Sequence, residues 1–334
     1  MRKLLWPFSI IYGAITAVRN LLFDKKLLSI YYPATKTIAI GNLSTGGTGK
    51  TPMTEFLLKH LKYQSAVVVS RGYGRATQGL LLVDRQGAAS DYGDEALQIA
   101  QKFPAVQVIV AEKRQLALEA ALDFNPDLAL MDDAYQHRSV QADAYIMLSA
   151  YHSIFSEDFI LPAGNLREAR RGAKRAAAIV ITKCPHNIST AKKEEIAQSI
   201  QTYSEAPLYF SSLSYSDLTN PFGEKISTQK AIVFSGIAYP QYMMEHLQQQ
   251  QLQIIDQHHF KDHYSFQKED LNTLLAQAEK EQAVLICSEK DYVKVGSLGL
   301  GQDALARIFI LGVEHLFLGD DKERFLAQMT AIIS

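Results

Sequence analysis

A short segment, residues 37–51, constrains the fold of this chain more than any other feature. A β-branched run breaks into glycines there and ends in Gly49-Lys50-Thr51. In a phosphate-binding loop, the lack of Cβ bulk lets backbone N–H groups surround polyphosphate oxygens, while the lysine neutralises the outer phosphates and the hydroxyl ligates Mg²⁺. Residues 52–63 have the spacing of a helix, whose N-terminal end favours the same anion. The segment therefore predicts a strand, a loop and a helix that bind ATP or GTP.

The loop departs from the pattern G-x-x-x-x-G-K-[ST] at one position, where Ser44 replaces the first glycine. Two further glycines in the loop make this departure from the pattern less significant. A chance Gly-Lys-Thr in a surface loop is the alternative, but it does not explain the strand before and the helix after. The predicted ATP-binding residues are Ser44, Thr45, Gly46, Gly47, Thr48, Gly49, Lys50 and Thr51.

Length and composition narrow the class of protein. The 334 residues favour two domains over one core. A formal charge of −1 gives no basic excess, so a nucleic-acid partner is not expected. The two cysteines, Cys184 and Cys287, lie far apart and indicate neither a disulfide framework nor a zinc site. A reducing cytosol suits both the free thiols and the nucleotide.

The N-terminal residues 4–18 are apolar and carry no charge between Lys3 and Arg19. A membrane-spanning helix needs about 20 apolar residues, and this run is shorter and interrupted by Pro7 and Gly13. No clear cleavage site for a signal peptide follows it. Two alternatives stay open from these residues alone: a helix that lies in the bilayer interface, or a first helix buried in the core.

Strand-like and helix-like segments alternate through the first two thirds of the chain. The short apolar runs are residues 65–70, 105–110, 127–131 and 177–182, and segments such as 95–102 and 114–123 have helical spacing. This alternation predicts an α/β fold with a mostly parallel sheet covered by helices on both faces. Ligands of such sheets lie beyond the carboxyl ends of the strands.

The polar residues at these strand ends are therefore candidate site residues. Asp132 and Asp133 follow the run at 127–131, where a P-loop enzyme places its Mg²⁺ ligand; a solvated turn is the alternative for such a pair. Arg71 and Arg75 follow the run at 65–70 between glycines, which suits phosphate binding. A surface hairpin is the plain alternative for the arginines, whose pattern alone is a weak signal.

The alternation of strand-like and helix-like segments weakens from about residue 208. A second series of such segments then begins. No second phosphate-binding loop occurs in it, so the nucleotide site is not duplicated. The predicted organisation is an N-terminal helix (1–28), a P-loop domain (29–210), a linker (211–228) and a second α/β domain (229–334) that contributes to the active-site cleft.

Seven motifs together carry a resemblance to a known family. They are Gly41-Asn42-Leu43-Ser44-Thr45-Gly46-Gly47-Thr48-Gly49-Lys50-Thr51-Pro52, Ser70-Arg71-Gly72-Tyr73-Gly74-Arg75, Gly93-Asp94-Glu95, Asp132-Asp133-Ala134-Tyr135-Gln136-His137-Arg138, Leu161-Pro162-Ala163-Gly164-Asn165-Leu166-Arg167-Glu168, Asp262-His263-Tyr264 and Ser288-Glu289-Lys290-Asp291. In this order the chain resembles the tetraacyldisaccharide 4′-kinases, P-loop kinases of lipid A biosynthesis. The serine in the P-loop also looks like the family's variant.

The resemblance implies a kinase that transfers the γ-phosphate of ATP to the 4′-hydroxyl of a tetraacyl glucosamine disaccharide 1-phosphate. It implies a P-loop NTPase-like sheet, a second smaller α/β domain and an N-terminal interfacial helix. The enzyme would sit at the cytosolic face of the inner membrane as a peripheral or monotopic protein, with the lipid A precursor and the membrane surface as partners and Mg²⁺ as cofactor. A monomer is expected.

The resemblance also assigns roles to residues. Asp94 is expected as the base or base partner for the 4′-hydroxyl and His263 as the group that orients it, although a helix cap and a surface histidine are the plain alternatives. Because His263 belongs to the second domain, the pair requires domain closure. Lys50 is the third expected catalytic residue. The expected metal ligands are Thr51, Asp132 or Asp133, and Glu168, and the expected substrate-binding residues are Asn42, Arg71, Tyr73, Gln136, His137 and Arg167.

Two assignments remain open. A membrane-associated regulatory P-loop NTPase is the alternative function, but that class carries a lysine before the two glycines, where this chain has Thr45. No chemistry is assigned to the Ser288-Glu289-Lys290-Asp291 motif.

Overall fold

The P-loop joins the central strand of the fold to its first core helix. The computed structural model describes residues 5–226, 228–250 and 252–334. Strand β1 (Lys36–Asn42) leads into the loop, and helix α2 (Lys50–His60) begins at the P-loop lysine. Gly49 immediately before the helix has φ +88°, a conformation that glycine adopts without strain. The predicted strand, loop and helix are confirmed.

The fold alternates strands and helices along most of its length. The remaining strands are β2 (Ala66–Ser70), β3 (Leu81–Leu82), β4 (Gln107–Val110), β5 (Leu128–Met131), β6 (Ala144–Ala150), β7 (Ala178–Thr182), β8 (Leu208–Tyr215), β9 (Lys230–Ser235), β10 (Gln253–His259), β11 (Val284–Ser288), β12 (Ile308–Leu311) and β13 (Val313–Phe317). The other helices are α1 (Trp6–Asp24), α3 (Ala89–Tyr92), α4 (Asp94–Lys102), α5 (Arg114–Ala121), α6 (Thr190–Gln201), α7 (Pro240–Gln248), α8 (Lys268–Lys280), α9 (Glu289–Gly296), α10 (Gln302–Ala306) and α11 (Asp321–Ile333). Two short 3₁₀ helices span Leu122–Phe124 and Arg170–Arg175.

The strands form two sheets. The larger has nine strands in the order β13-β8-β7-β6-β1-β5-β2-β4-β3 and the smaller has four in the order β10-β9-β11-β12. In the large sheet only the β3–β4 and β13–β8 pairs at its two edges are antiparallel, and the small sheet is parallel throughout. The expected mostly parallel α/β fold with a second, smaller sheet is confirmed. We call the two sheets with their helices the large unit and the small unit.

Hydrophobic clusters cover both faces of each sheet. In β1, Ile38 and Ile40 face one cluster and Ala39 faces the other. Both faces being buried explains why these strands are apolar almost throughout. A sheet held this way presents a fixed row of carboxyl ends, and the polar loops that follow them form the site.

The C-terminal segment departs from the predicted domain boundaries. Strand β13 pairs with β8 of the large sheet, and α11 packs beside it, so this part of the expected 229–334 domain belongs to the large unit. Aromatic packing explains the placement, since the Phe317 ring lies 4.9 Å from Phe56 of α2 and 5.0 Å from Phe325 of α11. The beginning of the expected 211–228 linker is part of β8, and residue 227 lies outside the described residues.

Helix α1 lies on the surface with most of its apolar side chains exposed. Within it only Ser9 and Phe23 are buried. Its exposed large apolar residues are Trp6, Phe8, Ile10, Ile11, Ile15, Val18 and Leu21. The alternative of a first helix buried in the core is therefore wrong. In the described part of the chain, no helix has the length and apolarity needed to cross a bilayer, and residues 1–4 of the expected segment lie outside that part.

Gly41 offers a test of the packing beneath the P-loop. A Cβ atom at this position would lie 2.6 Å from the Cβ of Tyr135 and 2.8 Å from its backbone nitrogen. We expect Gly41→Ala to lower the free energy of unfolding by about 1–3 kcal/mol, the usual cost of overpacking, as measured by urea denaturation. Gly301→Ala is the matched control, because its Cβ would meet nothing within 4 Å. Equal stability of the two variants would contradict this packing.

Candidate functional site

A cleft of about 800 Å³ opens where the strands of the large sheet end, and the small unit forms its opposite wall. The P-loop residues that line it are Thr45, Gly46, Gly47, Thr48, Gly49, Lys50 and Thr51. Helix α1 adds Tyr12, Thr16 and Arg19 to the lining. The cleft thus brings a phosphate-binding loop, the surface helix and both units together.

Two predicted site residues support the P-loop from beneath instead of lining the cleft. Asn42 is fully buried and its Nδ2 donates to Thr48 Oγ1 at 3.0 Å. Ser44 is buried and pairs with Leu166 in an isolated β-bridge. The structure therefore does not bring Asn42 to a position for substrate contact or the Ser44 side chain to the nucleotide. Both residues shape the loop.

His315 of β13 contacts the C-terminal end of the P-loop. Its Nε2 lies 2.9 Å from the Gly49 carbonyl oxygen and its Nδ1 lies 2.9 Å from Ser211 Oγ. Burial lowers the pKa of His315 to about 4, so the ring is neutral at physiological pH. A neutral ring whose Nε2–H donates to Gly49 has Nδ1 free to accept from Ser211. Sequence reasoning missed this residue because nothing near it in the chain indicates a partner in the P-loop.

The two aspartates after β5 have different surroundings. Asp133 lies 3.5 Å from the Lys50 ammonium and accepts from Arg167 Nη1 at 3.3 Å. Burial opposes its ionisation, but these two cations hold the pKa of Asp133 below its usual value. Asp132 is buried, and its carboxylate accepts a long hydrogen bond of 3.4 Å from Thr54 Oγ1. Burial, aided by the charge of Asp133, raises the pKa of Asp132 to about 6.

The residues present fit a magnesium ion at the phosphates. Among residues 5–226, 228–250 and 252–334, no cluster of three or more acidic, histidine or cysteine side chains could hold a metal. Mg²⁺ bound with a nucleotide needs only one or two carboxylates, because phosphates and water supply the other ligands. The Asp132 carboxylate lines the cleft and fits this requirement, since its charged form is costly in a buried site without a cation. Thr51 lines the same cleft and offers a hydroxyl.

Glu168 does not join this group. Its carboxylate accepts from Arg175 Nη2 at 2.8 Å, from Asn20 Nδ2 at 2.7 Å and from Gln136 Nε2 at 3.2 Å. Because both of its oxygens are occupied and it does not line the cleft, the expected metal role is not supported. Glu168 instead ties α1 to the large unit.

The other expected substrate-binding residues line the cleft: Arg71, Tyr73, Gln136, His137 and Arg167. Burial, followed by the charge of Arg114, lowers the pKa of His137 to about 4, so this histidine is neutral. Arg114 was not predicted. It is 1% exposed and lines the cleft, and its Nη2 has no hydrogen-bond partner among the described residues. A buried guanidinium with a free donor is suited to an anionic oxygen.

The Asp94–His263 pair forms across the two units. Asp94 is the first residue of α4, and His263 follows β10 in a loop where its φ is +58°. His263 Nδ1 lies 3.2 Å from Asp94 Oδ2. His263 lines the cleft and Asp94 does not, so the imidazole, and not the carboxylate, faces the cleft. The hydrogen bond with Asp94 raises the pKa of His263 above its usual value.

The Asp94–His263 pair is stabilised by contacts of the Ser288-Glu289-Lys290-Asp291 motif. The sequence predicted no role for this motif. Ser288 Oγ caps α9 by accepting from the Asp291 N–H, and Asp291 accepts from the Gly236 N–H at 3.1 Å. Lys290 Nζ lies 2.7 Å from Glu95 Oε1 and 3.3 Å from His263 Nε2. The motif thus fixes the loop that carries His263.

One part of the cleft wall, next to the P-loop, is apolar and aromatic. Lys183 Nζ lies 4.4 Å from the ring centroid of Tyr239 and 5.1 Å from that of Tyr242. Burial lowers the pKa of Lys183 to about 8. The Tyr239 ring also lies against the P-loop at Gly47. Aromatic faces and an apolar lysine stem beside a P-loop provide stacking surfaces for a planar base.

Comparison with known proteins identifies the family. The family model described as tetraacyldisaccharide-1-P 4′-kinase, LpxK, matches residues 1–334. The chain belongs to this family. A tetraacyldisaccharide 4′-kinase from Flavobacterium psychrophilum is 39% identical over 334 residues, covering 97% of this chain and 94% of the relative. One from Bacteroides thetaiotaomicron is 35% identical, covering 97% and 91%.

A solved structure agrees with the fold of this family member. The crystal structure of LpxK from Aquifex aeolicus in complex with ATP matches with a TM-score of 0.77 at 27% sequence identity, covering 100% of this chain and 99% of that one. The sequence-based prediction of the family is therefore confirmed.

His315 gives a testable link between β13 and nucleotide binding. We expect His315→Leu to weaken ATP binding about tenfold, because it leaves the buried Gly49 carbonyl and Ser211 hydroxyl without their partner. The measurement is the dissociation constant of ATP by isothermal titration calorimetry. His259→Leu is the control, since that histidine is exposed on β10. If both variants bind ATP as the unmodified chain does, His315 does not support the loop.

Proposed function

We propose that this chain transfers the γ-phosphoryl group of ATP to the 4′-hydroxyl of a tetraacyl glucosamine disaccharide 1-phosphate, with His263 as the proton acceptor. The observation that carries the proposal is that His263 of the small unit lines the same cleft as the P-loop and is paired with Asp94 of the large unit. A nucleotide-binding module without phosphoryl transfer has no use for such a pair. The family membership supports the lipid acceptor.

The transfer needs positioning, charge neutralisation and a place for one proton. The oxygen of the 4′-hydroxyl bonds to the γ-phosphorus while the bond from that phosphorus to the bridging oxygen of the β-phosphate breaks, and ADP leaves. The hydroxyl proton passes to Nε2 of His263, whose other nitrogen is held by Asp94. Lys50, Arg114 and Arg167 are the cations placed to offset the charge on the phosphoryl oxygens.

Magnesium fits this scheme through Thr51 and Asp132. When bound, the ion supplies charge neutralisation at the phosphates. Asp133 is the less suitable ligand, because Lys50 and Arg167 already satisfy it. This choice between the two aspartates was open from the sequence.

Helix α1 supports a peripheral membrane location. Its exposed apolar face has no cover among the described residues, and large exposed apolar patches mark interaction surfaces. Its other side reaches the cleft through Tyr12 and Arg19. We place this helix in the bilayer interface at the cytosolic side of the inner membrane, so that an acylated substrate reaches the cleft without leaving the lipid. A monomer is sufficient for this arrangement and remains a prediction.

The central test of the proposal is transfer of labelled γ-phosphate from ATP to the tetraacyl disaccharide 1-phosphate in detergent. We expect the unmodified chain to make the bisphosphorylated lipid. Lys50→Ala and Asp94→Ala should each lower kcat at least about 100-fold, because one removes phosphate neutralisation and the other the support of the base. Lys225→Ala, at an exposed ion pair, is the control. ATP hydrolysis without a labelled lipid would instead favour a regulatory NTPase.

The membrane proposal is tested by sedimentation with vesicles of phosphatidylethanolamine and phosphatidylglycerol. The double variant Ile11→Glu/Ile15→Glu should lose most vesicle binding, since about 25 cal/mol per Å² of buried apolar surface is lost and charge is added. Leu116→Glu is the control, because it adds charge at an exposed leucine on α5. Undiminished binding of the double variant would exclude α1 as the membrane contact.

A further inference from the structure

Lys290 reaches from the first turn of α9 to groups on both sides of the cleft. Its Nζ donates to Glu95 Oε1 at 2.7 Å and to His263 Nε2 at 3.3 Å. Glu95 belongs to α4 in the large unit, whereas Lys290 and His263 belong to the small unit. The lysine side chain is mostly buried, so it is confined to this position.

The two contacts of the His263 ring favour one protonation state. A lysine ammonium has donors and no acceptor, so Nε2 of His263 accepts and carries no proton. An ionised carboxylate only accepts, so Nδ1 carries the proton that it donates to Asp94. These two contacts fit the neutral Nδ1–H tautomer of His263, in which the Nε2 lone pair is directed at the ammonium.

We propose that Lys290 is a positioning residue for the phosphoryl transfer: it keeps His263 in the neutral Nδ1–H tautomer and occupies the place of the acceptor hydroxyl at Nε2 until the substrate binds. This inference rests on the proposed function, because it takes His263 as the proton acceptor. When the 4′-hydroxyl enters, it replaces the ammonium at Nε2, and Lys290 keeps its shorter contact with Glu95. The hydroxyl proton is then transferred to Nε2 as described above.

The charges around His263 explain why a cation is needed. The charged and aromatic groups that face the ring or its partners are Asp94, Glu95, Asp262, Lys290, Lys294 and Tyr73. Lys294 is occupied by Asp291 at 2.9 Å and lies 4.0 Å from Asp94. Without Lys290, the neighbouring carboxylates would favour the imidazolium form of His263. An imidazolium has no lone pair and accepts no proton.

The sign of the resulting pH effect follows directly. The bond to Asp94 raises the pKa of His263 and the charge of Lys290 opposes that rise. The rate falls as the pH drops below this pKa, because only the neutral ring is a base. Removing the charge at position 290 raises the pKa further, so the acidic limb of the pH–rate profile moves to higher pH. Arginine at this position keeps the charge.

The experiment measures kcat/KM for the lipid acceptor from about pH 5 to about pH 9, since this parameter reports the ionisation of the free enzyme. The full chain is used with ATP, Mg²⁺ and tetraacyl disaccharide 1-phosphate in detergent. Lys290→Met should shift the acidic limb upward by about one pH unit, while KM for ATP stays within about twofold. Lys290→Arg should restore the limb, and Lys225→Met is the control at an exposed lysine.

The outcomes separate this inference from the proposed function. If the unmodified chain does not phosphorylate the lipid, the proposed function fails before any variant is compared. If it does, an unshifted limb in Lys290→Met overturns the role of Lys290. A raised KM for ATP with an unshifted limb also overturns it, because Lys290 would then contact phosphate.

A direct measurement avoids dependence on a variant that fails to fold. Nitrogen-15 chemical shifts of the His263 ring in the unmodified chain distinguish a protonated Nδ1 from a protonated Nε2. The inference predicts a protonated Nδ1 and an unprotonated Nε2 at a pH above the pKa of the ring. The opposite tautomer would overturn it without any substitution.

Discussion

The buried hydrogen bonds beneath the P-loop are the constraint on which the rest of the site depends. Asn42 donates to the Thr48 hydroxyl, Thr182 donates to the Thr48 carbonyl and His315 contacts the Gly49 carbonyl. Leaving any of these buried groups unpaired costs about 1–3 kcal/mol. Because the three donors come from β1, β7 and β13, the shape of the phosphate cradle is a property of the whole large sheet.

The second constraint is the contact between the two units at α4. The large unit carries the nucleotide loop and Asp94, and the small unit carries His263 and Lys290. The proposed proton acceptor, His263 paired with Asp94, is therefore complete only when α9 and the His263 loop lie against α4. An enzyme built this way joins its base to its nucleotide site through a domain contact, which restricts phosphoryl transfer to the assembled cleft.

The sequence predicted those features whose chemistry is local. The P-loop, the parallel sheet and the aspartates at the end of β5 follow from short patterns of residues. Contacts between distant segments were not predictable in this way. His315 reaches Gly49 through the antiparallel pairing of β13, and the same pairing makes the predicted boundary of the second domain wrong at its C-terminal end. Glu168 was expected at the metal because it belongs to a motif of the resembling family, but its partners in α1 and at Arg175 lie outside any local pattern.

The coupling between Asp94 and His263 tests the central claim most directly. It is obtained from a double-mutant cycle on kcat for lipid phosphorylation with Asp94→Ala, His263→Ala and the double variant. Residues that act as one unit are strongly non-additive. The account predicts that the double variant is about as slow as the slower single variant. Losses that multiply would show that the two residues act independently, and would contradict a proton acceptor assembled across the two units.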